Sequence, residues 1–245
     1  MEKKFENQIF NKSVGICLGA TTLSIVEISE IDNRINIDNV ITKEHEGDPK
    51  GTLSRYLDQM DFSNKYIAVT GRKFRELINI PSITEPEAVE IAYEYISSNQ
   101  KNRKHDAIVS AGGETFMVYE IDERGKISRI SSGNKCASGT GEFFMQQIRR
   151  MNVTVEEAIR LAKTSQNPHQ LSGRCSVFCK SDCTHALNKG ESIADVAAGL
   201  ARMIAKKIQE LLVKINANKI MIVGGTAQNQ AVIDLEKSKL LPELN

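Results

Sequence analysis

The chain has 245 residues, a formal net charge of +1 at pH 7 and 26% charged residues. This length can bury a substantial core in one domain or two joined lobes, and the near-neutral charge favours neither a nucleic-acid nor a membrane partner. No apolar window approaches a bilayer span, and residues 1–12 lack a signal-peptide apolar region, so we expect a cytoplasmic protein. Five cysteines, an odd number in clustered spacing, favour metal or redox use over disulfides.

The first hundred residues predict a lobe that begins with a β-hairpin. Residues 14–17 form a short apolar strand, and β-rich residues resume at 23–28 after a tight glycine turn. Strand and helix patterns then alternate along the chain. The further predicted elements are a strand at 35–40, a helix at 52–59, a strand at 66–70 and a helix at 85–97.

The same order of elements recurs in the second part of the chain. The predicted elements there are strands at 107–109, 115–121 and 126–130, helices at 139–151, 155–163, 177–189 and 193–215, and a buried strand at 219–223. We interpret the recurrence as a duplication, which predicts an α/β protein with lobes at residues 13–100 and 101–245. Two such hairpin-led lobes resemble the fold shared by actin, the Hsp70 ATPase domain and sugar kinases, in which ATP lies between the lobes.

Three glycine turns are candidate phosphate-binding loops. Glycine tolerates positive φ and lets backbone N–H groups approach phosphate oxygens. One such turn is more often only a tight turn, but three in the order that the fold requires predict a nucleotide site. The candidate ATP- or ADP-binding residues are Gly19, Ala20, Thr21, Thr22, Gly112, Gly113, Glu114, Thr115, Gly139, Thr140, Gly141, Gly224, Gly225, Thr226, Gln228 and Asn229.

Two cysteines lie where irregular segments pass into predicted helices. Cys136 belongs to the run NKCASGTGEF at residues 134–143, and Cys175 belongs to GRCSVF at residues 173–178. A helix N-terminus offers unpaired N–H groups and the positive end of the macrodipole, which stabilise a thiolate or an anionic cofactor. The two segments resemble the BadF/BadG/BcrA/BcrD-type ATPases, which activate 2-hydroxyacyl-CoA dehydratases and benzoyl-CoA reductases.

The resemblance implies an electron-transfer protein. In that family the two matching cysteines of each subunit, here Cys136 and Cys175, hold one [4Fe–4S] cluster across a homodimer. Turnover of Mg²⁺-bound ATP closes the lobes and makes the cluster a stronger electron donor. The partner is an iron–sulfur dehydratase or reductase component that acts on acyl-CoA-type substrates.

Three positions depart from the family pattern. Cys17 and Ser110 replace the two aspartates that precede the first two glycine turns, and Ser24 replaces a lysine. A thiol or hydroxyl supports hydrated Mg²⁺ poorly because hard cations prefer anionic oxygen. Binding of nucleotide is therefore better supported than hydrolysis. Glu114 and Glu85 are the nearest carboxylates that can substitute.

The remaining cysteines and the histidines carry weaker signals. Cys179 and Cys183 continue the spacing of Cys175 at every fourth residue, and we interpret them as a buried apolar stripe, with tuning or replacement of a cluster ligand as the alternative. We interpret His185, on the same predicted helix as the cysteines, as a helix-surface or core histidine, and His45, His105 and His169 have no partners at metal-ligand spacing.

Two alternative functions and one question of length stay open. A nucleotide-sensing module that holds a cluster without turning over ATP is compatible with the missing aspartates. A kinase of the same fold for a small metabolite is also compatible, but it leaves both cysteine motifs unexplained. Because the family continues past Gly224-Gly225 through a further strand and a closing helix, we expect the C-terminal part to be incomplete.

Overall fold

The computed structural model describes residues 11–32, 34–71, 82–99, 104–133, 140–173, 175–213, 215 and 217–240. The chain divides into two compact units, with the boundary between Val89 and Glu90. The predicted lobe boundary at residue 100 stays a prediction, and each unit is described by itself below. Within the described residues, none of the helices combines the length and the apolar content that a membrane crossing requires.

The first unit is built on a four-stranded sheet. Its order is β3-β2-β1-β4, with the first three strands antiparallel and β4 parallel to β1. Alternate residues of β1 and β2, among them Val14, Ile16 and Ile25, are buried on the same face and form the core of this unit with Leu53. The elements are β1 Lys12–Leu18, β2 Thr22–Ile31, β3 Arg34–Glu44, α1 Pro49–Leu57, β4 Tyr66–Thr70 and α2 Glu85–Asn99, which crosses the unit boundary.

The second unit repeats this sheet and adds helices. Its order is β7-β6-β5-β8, with β8 parallel to β5. All five residues of β5 are buried, as expected for an inner strand. The elements are β5 Ala107–Ala111, β6 Phe116–Ile121, β7 Ile127–Ser132, α3 Gly141–Arg150, α4 Val155–Thr164, α5 Ser176–Asn188, α6 Ile193–Leu212, β8 Ile220–Val223, a 3-10 turn Gly225–Gln228 and α7 Gln230–Leu240.

The predicted elements are confirmed within a few residues, and so is the duplication. The largest difference is the end of β3, which extends to Glu44 instead of residue 40, and α6 stops at Leu212 instead of residue 215. Helix α7, Gln230–Leu240, follows the last glycine turn and was not predicted. Its start is fixed by the Asn229 side chain, whose Oδ1 accepts a hydrogen bond from Val232 N at 3.3 Å.

The duplication extends to one glycine in each unit. Gly71 follows β4 and Gly224 follows β8, and both have positive φ, 107° and 94°. A β-carbon on Gly71 would collide with the Leu18 carbonyl at the end of β1, and one on Gly224 would lie 2.7 Å from the Ala111 carbonyl at the end of β5. Each glycine therefore lets the backbone after the parallel strand pass directly against the turn that follows the first strand.

Candidate functional site

The carboxyl ends of β1 and β4 form one candidate edge in the first unit. Parallel pairing sets Cys17 opposite Thr70, and the turn from Gly19 to Thr22 follows immediately. Gly19 N donates to Thr22 O at 2.9 Å, which closes this turn. Ala20 and Thr21 lie between them and are partly exposed. The turn therefore has the compact backbone that a phosphate-binding loop needs.

His45 supports the Gly19 turn from behind. Its side chain is buried, with 6% exposure, and Nε2 lies 3.3 Å from the Gly19 carbonyl oxygen. The His45 backbone N–H donates to Thr21 O at 3.0 Å. From the sequence, this histidine was considered only as a metal ligand, so the contact with Gly19 was not predicted. Pairing of β2 with β3, which sets Thr22 opposite Glu44, was the signal that would have located it.

The side chain of Cys17 is a neutral group. Burial, and to a smaller extent the negative charge of Glu85, raises the pKa of the Cys17 thiol above its ordinary value. The thiol is therefore protonated at neutral pH and does not offer an anionic ligand to a hard cation. Glu85 begins α2 in the same unit, so a carboxylate does act on this edge. Glu114 is exposed in the turn between β5 and β6.

Three chain segments converge at the corresponding edge of the second unit. A β-carbon built on Gly141 would lie 3.0 Å from the Gly112 carbonyl oxygen, 3.1 Å from Thr226 Oγ1 and 3.5 Å from Gly113 Cα. The start of α3, the turn after β5 and the 3-10 turn after β8 thus meet within van der Waals contact. We call this convergence the Gly141 cradle.

Thr226 is the unusual side chain of the Gly141 cradle. It is buried, with 7% exposure, and its Oγ1 has no hydrogen-bond partner among the residues that the structure describes. A buried hydroxyl without a partner loses its bonds to water without replacement, which is unfavourable. Such a group is commonly explained by a ligand, an ion or a water. The exposed Gly224, Gly225 and Gln228 flank it.

The start of α3 differs from the expectation of free N–H donors. Gly141 N donates to Gly112 O at 3.3 Å, Glu142 N donates to Gly113 O at 2.9 Å and Phe143 N donates to Thr140 Oγ1 at 3.3 Å. These bonds tie the helix to the glycine turn, and they leave those three N–H groups engaged within the protein. Cys136 and Gly139 lie outside the described residues. Thr115 lies after the Gly112-Gly113 turn, directly before β6, and is half-buried.

Cys175 lies at the N-cap of α5, directly before the helix. Its backbone is extended, with φ −143° and ψ 132°, and its side chain makes no capping hydrogen bond. In the first turn of α5, the side chains of Val177 and Phe178 are apolar and exposed by 70% and 65%. Cys175 thus lies at the positive end of a helix dipole beside an apolar surface.

Cys179 and Cys183 belong to the core of the second unit. Their exposures are 0% and 4%, and Cys179 Sγ lies 3.6 Å from Met203 Sδ. A hydrogen bond from the Cys179 side chain lowers the pKa of the Cys183 thiol against the opposing effect of burial. Within the described ranges, no three His, Cys, Asp or Glu side chains are grouped closely enough to hold a metal ion. These two cysteines therefore pack in the core and not at the end of α5 where Cys175 lies.

The sequence profile of the BadF/BadG/BcrA/BcrD ATPase family matches residues 36–240. The chain belongs to this family. It is 30% identical over 127 residues to the 2-hydroxyisocaproyl-CoA dehydratase activator of Clostridioides difficile, a match that covers 51% of this chain and 48% of that relative. It is 24% identical over 226 residues to the (R)-2-hydroxyglutaryl-CoA dehydratase activating ATPase of Acidaminococcus fermentans, covering 90% and 85% of the two chains.

A solved structure supports the fold. The ADPNP-bound activator of the 2-hydroxyisocaproyl-CoA dehydratase from Clostridium difficile superposes with a TM-score of 0.76 at 22% identity, covering 94% of this chain and 85% of that one. Similarity at this level establishes a shared fold. The predicted fold class, the two-lobe α/β fold of actin-like ATPases, is thereby confirmed.

Proposed function

We propose that this BadF/BadG/BcrA/BcrD family member is an ATP-binding iron–sulfur activator that donates an electron, coupled to nucleotide turnover, to a cytoplasmic partner enzyme. The partner is an iron–sulfur dehydratase or reductase component that acts on acyl-CoA-type substrates, as the names of the relatives suggest. The observation that carries the proposal is the Gly141 cradle with the buried Thr226 hydroxyl, which has no hydrogen-bond partner among the described residues. The family membership and the ADPNP-bound relative support the same ligand class.

The residues of both candidate edges fit a nucleotide. In the second unit, the close approach at Gly141 leaves no room for a side chain, and Thr226 supplies a hydroxyl whose hydrogen-bonding capacity is unused among the described residues. In the first unit, the turn of Ala20 and Thr21 offers backbone N–H groups and a threonine hydroxyl. We propose that the groups of each edge bind phosphate oxygens of the nucleotide.

Thr226→Val tests the nucleotide site without disturbing the fold. Valine has the shape of threonine, so removing an unsatisfied hydroxyl should leave the free energy of unfolding of the nucleotide-free protein unchanged or raise it. If Oγ1 bonds to the nucleotide, ADP affinity should fall about tenfold. Titration calorimetry and urea unfolding measure the two effects. Thr226→Ser keeps the hydroxyl and should bind ADP normally; equal ADP affinity in the valine variant would contradict the assignment.

We propose that Cys175 and Cys136 of two chains hold one [4Fe–4S] cluster. A cluster bound there would supply a one-electron reductant, and it requires four thiolates, two from each of two chains. Cys179 and Cys183 are buried in the core, which leaves Cys175 as the accessible thiol of α5. The exposed Val177 and Phe178 beside it support a homodimer, because such side chains gain stability when a second subunit covers them.

A second candidate function is favoured by one observation. The Cys17 thiol is held neutral by burial, and Ser110 offers a hydroxyl at the equivalent position of the other unit. Neither group suits Mg²⁺, so a module that binds nucleotide and holds a cluster without turning over ATP is the alternative. In the primary proposal, Glu85 supplies the carboxylate that assists Mg²⁺-bound water in the first unit. Glu85 begins α2 in the same unit, and its charge contributes to the raised pKa of the Cys17 thiol.

Cys17→Asp separates these two functions. If the chain binds nucleotide without turning over ATP, an aspartate at the end of β1 restores an anionic oxygen for hydrated Mg²⁺, and Mg²⁺-dependent phosphate release from ATP should rise about tenfold or more. Cys17→Ser is the control, because it is equally small and polar but neutral, and its rate should equal that of the unmodified protein. If the unmodified chain already turns over ATP and the aspartate adds nothing, Glu85 suffices and the regulatory-module alternative is wrong.

A further inference from the structure

We propose that His45 positions the Gly19 turn for the phosphates of the bound nucleotide, and that its Nε2–H group is the atom that does so. This inference rests on the proposed nucleotide site. His45 is outside the glycine motif and directly follows β3, and it is a positioning residue because its side chain contacts the carbonyl of Gly19 in the turn.

The hydrogen bonds around the imidazole assign its tautomer. Gly47 N donates to His45 Nδ1 at 3.3 Å, so Nδ1 is the acceptor and carries no proton. Nε2 therefore carries the proton and donates to the Gly19 carbonyl, 3.3 Å away. Both ring nitrogens are satisfied in the neutral ring, which explains how a histidine with 6% exposure is accommodated at this position.

The same contacts orient the peptide that follows Gly19. The described peptide bonds are trans, so the N–H of each peptide points opposite to its carbonyl. The Gly19 carbonyl is directed at His45, and the N–H of Ala20 in the same peptide plane is therefore directed away from it. The His45 backbone N–H fixes a second carbonyl of the turn, that of Thr21, at 3.0 Å.

The carbonyls of Gly19 and Thr21 are both held on the side of His45. The N–H groups of the same two peptides therefore face the opposite side. Backbone N–H groups that converge in a turn bind anions, and a preorganised turn does so without the cost of ordering a loop on binding. His45 thus contributes to phosphate binding through the direction of a peptide bond. A role limited to core packing would depend on the volume of the ring, and the position of one donor hydrogen would not matter.

Two amide variants separate these roles. In His45→Gln the amide nitrogen can occupy the place of Nε2 and keep the donor to Gly19 O. In His45→Asn the amide oxygen can occupy the place of Nδ1 and keep the acceptor for Gly47 N, but the donor to Gly19 O is lost. The measurements are ADP titration of the full chain, thermal unfolding without nucleotide, and amide hydrogen exchange across residues 17–24.

We expect His45→Asn to bind ADP about three- to tenfold more weakly and His45→Gln to bind within about twofold of the unmodified chain, because one neutral hydrogen bond separates them. Exchange in the turn should be faster in the asparagine variant only. ADP binding that follows thermal stability, or that both variants retain equally, overturns the inference while leaving the nucleotide site in place. An unmodified chain that does not bind ADP overturns the proposed nucleotide site together with this inference.

Discussion

Replacing Cys175 by serine is expected to leave the anaerobically isolated protein without the proposed iron–sulfur cluster. We expect about four iron atoms per two chains in the unmodified protein and almost none in the variant, because a serine hydroxyl is a poor substitute for a thiolate ligand at a [4Fe–4S] cluster. The N-cap position of Cys175 makes this substitution mild for the fold, since its side chain makes no capping bond. Cys136→Ser should give the same loss. Iron and sulfide analysis with visible spectra measures the effect.

Cys183→Ala is the matched control for the loss of cluster. Cys183 lies in the same helix but is buried in the core, so alanine there should cost stability by a small cavity and leave the iron content unchanged. Equal loss of iron in both variants would show that the cluster depends on the general integrity of α5. Retention of iron by Cys175→Ser would contradict the assigned ligand.

Gly224→Ala is expected to cause the largest loss of stability among single substitutions at the glycine turns of the second unit. Alanine would have to adopt φ near 94° and would bring its β-carbon to 2.7 Å from the Ala111 carbonyl oxygen. The two effects together should lower the free energy of unfolding by about 3 kcal/mol or more. Because Ala111 leads directly into Gly112, relief of the collision should also distort the Gly141 cradle and abolish ADP binding. Urea unfolding and ADP titration test both consequences.

Gly190→Ala isolates the contribution of the backbone angle. Gly190 has φ of 89°, close to that of Gly224, but a β-carbon there meets no atom within 4 Å. Its substitution should cost only about 1–2 kcal/mol of unfolding free energy and leave ADP affinity unchanged. Comparable losses in the two variants would mean that the packing of Gly224 against Ala111 contributes little.

The fold could be predicted because its strands are short and regular and because strand and helix patterns alternate along the chain. Residues 14–17 indicate a short apolar strand before a glycine turn, and the same order of elements, which recurs from residue 107, indicates the duplication. Helix α7 was missed for a local reason. In the sequence, Asn229 looks like part of a glycine-rich turn. Its role as a helix cap depends on the hydrogen bond that its side chain accepts from Val232 N.

Of the candidate site, only residues that belong to a local sequence motif could be predicted. Glycine turns can be recognised in a sequence because few other residues tolerate a positive φ or a close approach of the backbone to a neighbouring group. The action of Glu85 on Cys17 and the contact of His45 with Gly19 join residues that are far apart in the chain. Such contacts arise from strand pairing and from the order of strands in a sheet, and no local pattern encodes them. Among the described residues, the Thr226 hydroxyl has no hydrogen-bond partner, and this follows from its burial, which only the structure gives.

The central claim is tested most directly by the iron, sulfide and ADP content of the anaerobically purified chain, measured together with its native mass. The account predicts a coloured homodimer with about one four-iron cluster per two chains that binds about one ADP per chain. A colourless monomer that still binds ADP would contradict the shared cluster and leave a nucleotide-binding module. A protein that binds neither would contradict the proposed function as a whole.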